Sequence, residues 1–293
     1  MKRILVATDF STRSDRALRR ATLLARQTSA EIVLVHVVDD DQAPRLLKAE
    51  EREATQLIDD LAASLREIDR VPCKGHVMLG EPFQVIASIA EDIDADVVVM
   101  GPHRRQALRD VFIGTTVERT ISRIRRPVIM ANAVPSGVYS RILVTTDLSD
   151  CSATAVKAAR KLGFFNHTEV LLLHAFDAPA QGMVIRSSMT TDQLKDYIAE
   201  EEERATGELT KFMRKVEIAP SRRFVQLIEG SAPDMIQDCI RKQKVDLVVI
   251  GTHGRTGAAK FFLGSVAEEV LRSSGIDVLA VPADAGLLGS TQP

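Results

Sequence analysis

The sequence predicts an α/β protein made of two tandem, open, doubly wound parallel sheets. Three observations carry that expectation. Short β-branched runs alternate with longer stretches of helical period along the whole chain, the pattern of βαβ units. Runs such as Asp96-Val97-Val98-Val99-Met100 are apolar without alternation, as parallel strands covered on both faces require. Finally, the landmarks occur twice: the segment Arg3-Ile4-Leu5-Val6-Ala7-Thr8-Asp9-Phe10-Ser11 recurs as Arg141-Ile142-Leu143-Val144-Thr145-Thr146-Asp147-Leu148-Ser149, and His36 recurs as His174 at the same offset.

Each half offers five strands and four helices. In the first half the strands are expected near 3–8, 31–37, 73–78, 96–101 and 127–131, with helices near 14–28, 44–68, 83–93 and 115–125. Ala17, Leu18, Ala21, Leu24 and Ala25 form one stripe of the first helix, with Ser11 or Ser14 as its N-cap. The second half repeats the order, with strands near 141–146, 169–175, 223–228, 246–251 and 277–282 and helices near 152–163, 190–216, 233–244 and 265–274. Gly80 pairs with Gly230, Asp96 with Asp246, Gly101 with Gly251 and Gly114 with Gly264 at a longer common offset, so about a dozen extra residues precede Gly230. They fall in 177–191, where Pro179 and Gly182 interrupt any regular pattern. That segment reads as an ordinary loop packed on its own half; the alternative is a cover for the site or a partner contact. The repeat length is that of a whole domain, giving 1–133 as one unit, 139–283 as the second and 284–293 as a flexible tail.

Composition narrows the function classes. Hydrophobic residues make up 45% and charged residues 27%, as in packed globular domains. A net charge of −2 gives no electrostatic case for nucleic acid or an anionic membrane as partner. No apolar run reaches the roughly 20 residues that cross a bilayer, and Met1-Lys2-Arg3 leads into a short strand rather than a signal-peptide core. Cys73, Cys151 and Cys239 are few and widely spaced, without metal-ligand pairing, and read as reduced thiols of a cytoplasmic protein. The runs Arg123-Ile124-Arg125-Arg126 and Glu200-Glu201-Glu202-Glu203 read as solvated helix surface.

The functional signal is Gly251, Gly254, Gly264 and Ser265 in the spacing G-x2-G-x9-G-S, directly after the apolar run Val245 to Ile250. A loop of small residues between a buried strand and a helix can turn its amides toward a phosphate, with the helix N-terminus adding favourable partial charge. Glycine there is expected to supply positive φ and to let a ligand approach the backbone.

With the Asp-x-Ser after the first strand and the His ending the second, this pattern resembles the universal stress protein family in its tandem two-domain form. The resemblance covers Arg3 to Ala131 and Arg141 to Pro282. It implies sheets of strand order 3-2-1-4-5 and an internal pseudo-dimer with Pro127–Ala131 beside Val278–Pro282. It also implies ATP, with or without Mg2+, as the ligand of members with the intact glycine pattern. On this sequence the implied site is Thr146 and Asp147 beside the adenosine, Ala175 at the base, Ile250 and Gly251 under the nucleotide, and Gly254 closing on the phosphates. Gly264, Ser265 and Val266 would offer amides at the last helix.

Each residue has a plainer role beside the functional one. Asp147 suits a turn, Ser265 an ordinary N-cap, and His253 a locally bonded loop position rather than a general base. His36 and His174 read as structural. The first half departs from the pattern: Arg104 replaces the middle glycine, Pro102 removes an amide donor, and Gly114-Thr115 ends the motif. It is expected to bind nucleotide weakly or not at all. The leading reading is a nucleotide-binding stress-response regulator, not an enzyme, whose ligand orders the 252–263 loop. A dimerisation scaffold without nucleotide, able to meet a protein partner or a second copy, and a slow ATP hydrolase are the alternatives.

Overall fold

The computed structural model describes residues 1–102, 116–177, 190–228, 230–254 and 263–285. The first half runs β1 (Arg3–Ala7), α1 (Thr12–Thr28), β2 (Glu31–Val38), α2 (Pro44–Glu67), β3 (Cys73–Leu79), α3 (Pro82–Asp92), β4 (Val97–Met100), α4 (Thr116–Arg123) and β5 (Val128–Met130). The second runs β6 (Arg141–Thr146), α5 (Asp150–Lys161), β7 (Glu169–Phe176), α6 (Thr191–Val216), β8 (Arg222–Leu227), α7 (Ala232–Gln243), β9 (Leu247–Gly251), α8 (Ser265–Ser273) and β10 (Asp277–Val281).

The strands lie in the order β3-β2-β1-β4-β5-β10-β9-β6-β7-β8, so each half has the expected 3-2-1-4-5 arrangement. All pairings within a half are parallel. The two sheets fuse into one: β5 and β10 pair antiparallel, with Val128 opposite Ala280, Ile129 opposite Leu279 and Met130 opposite Val278. The resemblance implied this contact, and the structure bears it out as a continuous ten-stranded sheet.

Period two along the strands explains the layers. Ile4 and Val6 belong to the core under α1, α2, α5 and α6, whereas Leu5 belongs to the core under α3, α4, α7 and α8. Both cores draw residues from both halves, so the junction is buried like a domain interior.

Capping begins the first helix of each half identically. Ser11 accepts from the Ser14 amide and Ser149 from the Ser152 amide, which settles the N-cap of α1 on Ser11. Asp96 and Asp246, just ahead of β4 and β9, accept from the amides of Arg3 (3.0 Å) and Arg141 (3.1 Å), tying the start of each central strand to its neighbour.

The junction also carries a polar cluster found once. Arg20 Nε donates to Asp277 Oδ2 at 2.7 Å, with side chains 5% and 0% exposed. Tyr139 donates its hydroxyl to the same oxygen at 2.7 Å, and the Ala133 amide donates to Asp277 Oδ1 at 3.0 Å. Arg20 also donates to Gly137 O and stands over the Tyr139 ring at 4.0 Å. The repeat puts Ala158 and Pro127 at the equivalent places, so α1, the connecting segment and β10 are joined by a contact the copied half lacks.

Candidate functional site

Doubly wound sheets open a crevice at the carboxyl ends of their strands. In the second half the ends of β6, β7 and β9 and the N-terminus of α8 enclose a cavity of about 200 Å³. All nine residues singled out by the sequence line it: Thr146, Asp147, Ala175, Ile250, Gly251, Gly254, Gly264, Ser265 and Val266. Thr252, His253 and Ile236 line it too; these were not among the nine. Thr252 and His253 lie inside the glycine motif, but Ile236 is on α7, and only the packing of that helix against the sheet brings it there.

The wall at β6 is held by a short network. Thr146 Oγ1 lies 2.9 Å from Ser152 Oγ and accepts from the Leu148 amide at 2.9 Å. Leu148 is left-handed, at φ 67°, which bends the chain from strand into helix. Asp147 Oδ1 accepts from the Ser149 amide at 3.1 Å, so Asp147 fills the turn role while its carboxylate also lines the cavity. Buried His174 bonds Thr146 O through Nδ1 at 2.9 Å, in keeping with a structural role. The first half repeats every part: Thr8 with Ser14 (3.0 Å), Phe10 N to Thr8 Oγ1 (3.1 Å), Ser11 N to Asp9 Oδ1 (3.0 Å), and His36 with Thr8 O (2.8 Å).

The positive φ expected of these glycines is not found: none of Gly251, Gly254 and Gly264 has it. A Cβ on Gly251 would lie 2.9 Å from Cys151 Sγ and 3.2 Å from the Cys151 carbonyl, so this glycine lets β9 pass under the start of α5. A Cβ on Gly254 would stand 3.3 Å from Asp147 Oδ2, narrowing the crevice between the loop and β6. At Gly264 it would press on Thr252 O at 3.3 Å. Close approach of protein to protein excludes a side chain at Gly251, while at Gly254 and Gly264 a Cβ would make a tight contact that the neighbour must ease by a few tenths of an ångström.

The start of α8 also differs in detail. Gly264, not Ser265, is the N-cap, and no side chain caps the helix. The Gly264 amide is already donated to Thr252 O at 2.8 Å, which removes it from the amides expected to meet a ligand. The first bond inside the helix runs from the Glu268 amide to Gly264 O at 2.9 Å. The amides of Ser265, Val266 and Ala267 precede it and have no intrahelical acceptor. The first turns of α1, α5, α6 and α7 are capped by Ser11, Ser149, Thr190 and Ser231, whereas α2 and α3 have no side-chain cap and begin on Pro44 and Pro82. An uncapped N-terminus at the wall of a cavity suits an anion.

His253 shares its Nδ1 with Thr252 Oγ1 at 2.8 Å, while its Nε2 is buried without a hydrogen-bond partner among the described residues. Local bonding therefore satisfies half of the ring, and the orphaned nitrogen is a polar atom that a ligand in the cavity could satisfy. Burial pushes the Cys151 thiol upward, against backbone hydrogen bonding from His253 that pulls the other way, so it is held protonated beneath the site. Among the described residues no group of His, Cys, Asp and Glu could hold a metal ion. Arg104, Gly114, Thr115, most of the 252–263 loop and most of the 177–191 segment lie outside the described residues, as does the tail from 286. Pro102 is described. Its counterpart Thr252 donates its amide to Val281 O at 3.0 Å, so the donor that proline removes is a sheet bond and not a ligand contact.

Fold and crevice together define a tandem α/β protein with two copies of one strand-end site, one of them bordered by a glycine loop. The universal stress protein family model matches residues 1–132 and again 139–282, and the chain belongs to that family. Universal stress protein E of Salmonella typhi is 24% identical over 300 residues, covering 96% of this chain and 94% of its own. Universal stress protein MJ0531 of Methanocaldococcus jannaschii is 31% identical over 145 residues, 49% of this chain and 82% of its own. Among solved structures, a universal stress protein from Archaeoglobus fulgidus superposes with a TM-score of 0.67 at 18% identity, covering 96% of this chain and 98% of its own. A Pseudomonas aeruginosa protein of unknown function superposes at 0.70 with 18% identity over 97% and 93%. Family membership supports a role in the stress response, and proteins of this family are generally not conventional enzymes. No helix among the described residues is long and apolar enough to cross a membrane.

Proposed function

We propose that the chain is an adenine-nucleotide-binding regulator of the stress response, with ATP bound mainly in the second half and used as a conformational ligand. The observation that carries the reading is the uncapped start of α8 at a cavity whose opposite wall bears Asp147. The amides of Ser265 and Val266 and the Ser265 hydroxyl would meet the phosphates, while Asp147 would accept from ribose hydroxyls and the Ala175 backbone would border the base. Such a helix end contributes about 0.3–1 kcal/mol toward an anion in exposed settings and more when partly buried.

The residues fit the ligand on two further counts. The passage between Gly254 and Asp147 is narrow, a Cβ on Gly254 standing 3.3 Å from Asp147 Oδ2, and His253 Nε2 lacks a partner among the described residues. When bound, ATP supplies a triphosphate charge that the amides can order around. Asp147, Thr146 and the α8 amides bind and orient; no second carboxylate or arginine is placed to move water onto a phosphate, which favours binding over turnover among the described residues. The three cysteines, free and buried, support a reducing, cytoplasmic setting.

Calorimetric titration with ATP tests the reading. We expect about one equivalent bound per chain, and a loss of at least about tenfold in affinity on Gly264→Val, the size of about 1.4 kcal/mol. If no adenine nucleotide binds the native chain, the reading fails in favour of a dimerisation scaffold.

A further inference from the structure

The strands that join the halves cannot by themselves tell one half from the other. Val128-Ile129-Met130 and Val278-Leu279-Ala280 are all apolar and at most 5% exposed. They hold equivalent places in the repeat, and Ile129 lies opposite Leu279, so a local twofold axis relates the halves. Through these strands alone, two first halves or two second halves would pair in the same register.

The symmetry is broken at one end of the junction. Continuing the register by one residue sets Asp277 opposite Ala131, and Pro127 opposite Val281. Asp277 is wholly buried and takes Arg20 from the first half. Beside it the Asn132 side chain donates to Ile276 O at 3.0 Å, and Arg16 donates to Asn132 O at 2.8 Å. At the other end stand Pro127 and Pro282, the repeat's counterparts of Asp277 and Asn132, which carry no polar side-chain atom. Pairing two first halves would put Pro127 where Asp277 stands, burying two guanidinium groups without that carboxylate. Pairing two second halves would set Asp277 beside Ala158, burying two carboxylates without that guanidinium. An isologous contact repeats every residue, so each mispairing carries its unpaired charge twice.

We propose that Arg20 and Asp277 are a pairing code: the edge of a first half accepts the edge of a second half, from its own chain or from another copy, and refuses its like. The connecting residues 131–140 span up to about 33 Å when extended, so a second half can also be passed to a neighbouring chain. No ligand takes part in this choice, which stands whether or not nucleotide binds.

The test uses full chains carrying Arg20→Asp or Asp277→Arg, alone, mixed and combined, followed by sedimentation velocity. Each single variant sets two like charges in the buried junction, and we expect its halves to part. Mixing the two variants restores a carboxylate–guanidinium pair at each of two exchanged junctions. A 1:1 dimer then forms at least about tenfold more tightly than either variant with itself. The chain with both substitutions recovers the pair internally and sediments as a compact monomer. Failure to form the mixed dimer, equal self-association of a single variant, or a double variant as open as the singles overturns the proposal. Should the reversals not fold, Arg20→Ala and Asp277→Ala take their place. The double alanine variant must then unfold at a higher urea concentration than Asp277→Ala alone; an equal or lower midpoint overturns the code.

Discussion

The two halves share the turn from first strand to first helix and differ in what surrounds it. Thr8 and Thr146, Ser14 and Ser152, His36 and His174 make the same bonds to within about 0.1 Å, and Phe10 and Leu148 share a left-handed backbone. The turn from first strand to first helix is therefore one solution used twice. Around the crevice the copy is partial: Asp9 and Asp147 stand alike, but Arg13 stands where buried Cys151 does, and Pro102 where Thr252 does. The frame is shared and its surroundings are not, so one molecule presents two unlike cavities at the strand ends of a single sheet.

The junction is where the halves should respond most differently to mutation. Asp277→Ala leaves Arg20 as an uncompensated buried charge, and we expect a loss of about 3–5 kcal/mol by urea unfolding. The corresponding change at Pro127 removes no such pair and should cost much less. Equal losses would mean that the cluster is not what ties the halves together.

Next in size are the crossing glycines. Gly101→Ala drives a Cβ to 2.6 Å from the Arg13 carbonyl oxygen, and Gly251→Ala to 2.9 Å from Cys151 Sγ. Overpacking of this kind costs about 1–3 kcal/mol, and the first half should lose more because a main-chain oxygen yields less readily than a side-chain sulfur. Thermal melts of the two variants rank them directly.

The pH dependence of the junction follows from Tyr139. Burial, and then the charge of Asp277, raise its hydroxyl well above the ordinary 10.0. The folded chain keeps that proton where the unfolded chain loses it, so the stability is complete below pH 10 and falls as pH climbs above it, by up to about 1.4 kcal/mol per pH unit. Tyr139→Phe should flatten this alkaline slope while lowering stability at neutral pH. An unchanged slope would remove Tyr139 as its source.

The smallest effect is a control on the shared frame. Ser11→Ala and Ser149→Ala each remove the N-cap of the first helix and should cost about 1 kcal/mol alike. A clear difference between them would show that the turns are less equivalent than their hydrogen bonds.

Most of the fold could be read from the sequence because buried parallel strands write themselves as uninterrupted runs such as Val97-Val98-Val99, and the repeat checks each assignment against its copy. The pairing of β5 with β10 came from family resemblance, since nothing local in Val128–Met130 names its partner. The site residues were readable as a group through glycine spacing, but their reasons were not. Gly251 is fixed by Cys151, a contact distant in sequence, and the loss of the Gly264 amide to Thr252 O depends on the fold of the loop. Arg13 escaped notice because an arginine in the first turn of a helix looks like ordinary surface; only aligning it with Cys151 singles it out.

The proposal that ATP binds in the second-half crevice and not in the first is tested most directly by hydrogen exchange with and without ATP. We predict slower exchange of the amides at β9 and the start of α8, with Ser265 and Val266 foremost, and no change at β4 and α4. Equal protection in both halves, or none at α8, would contradict the account.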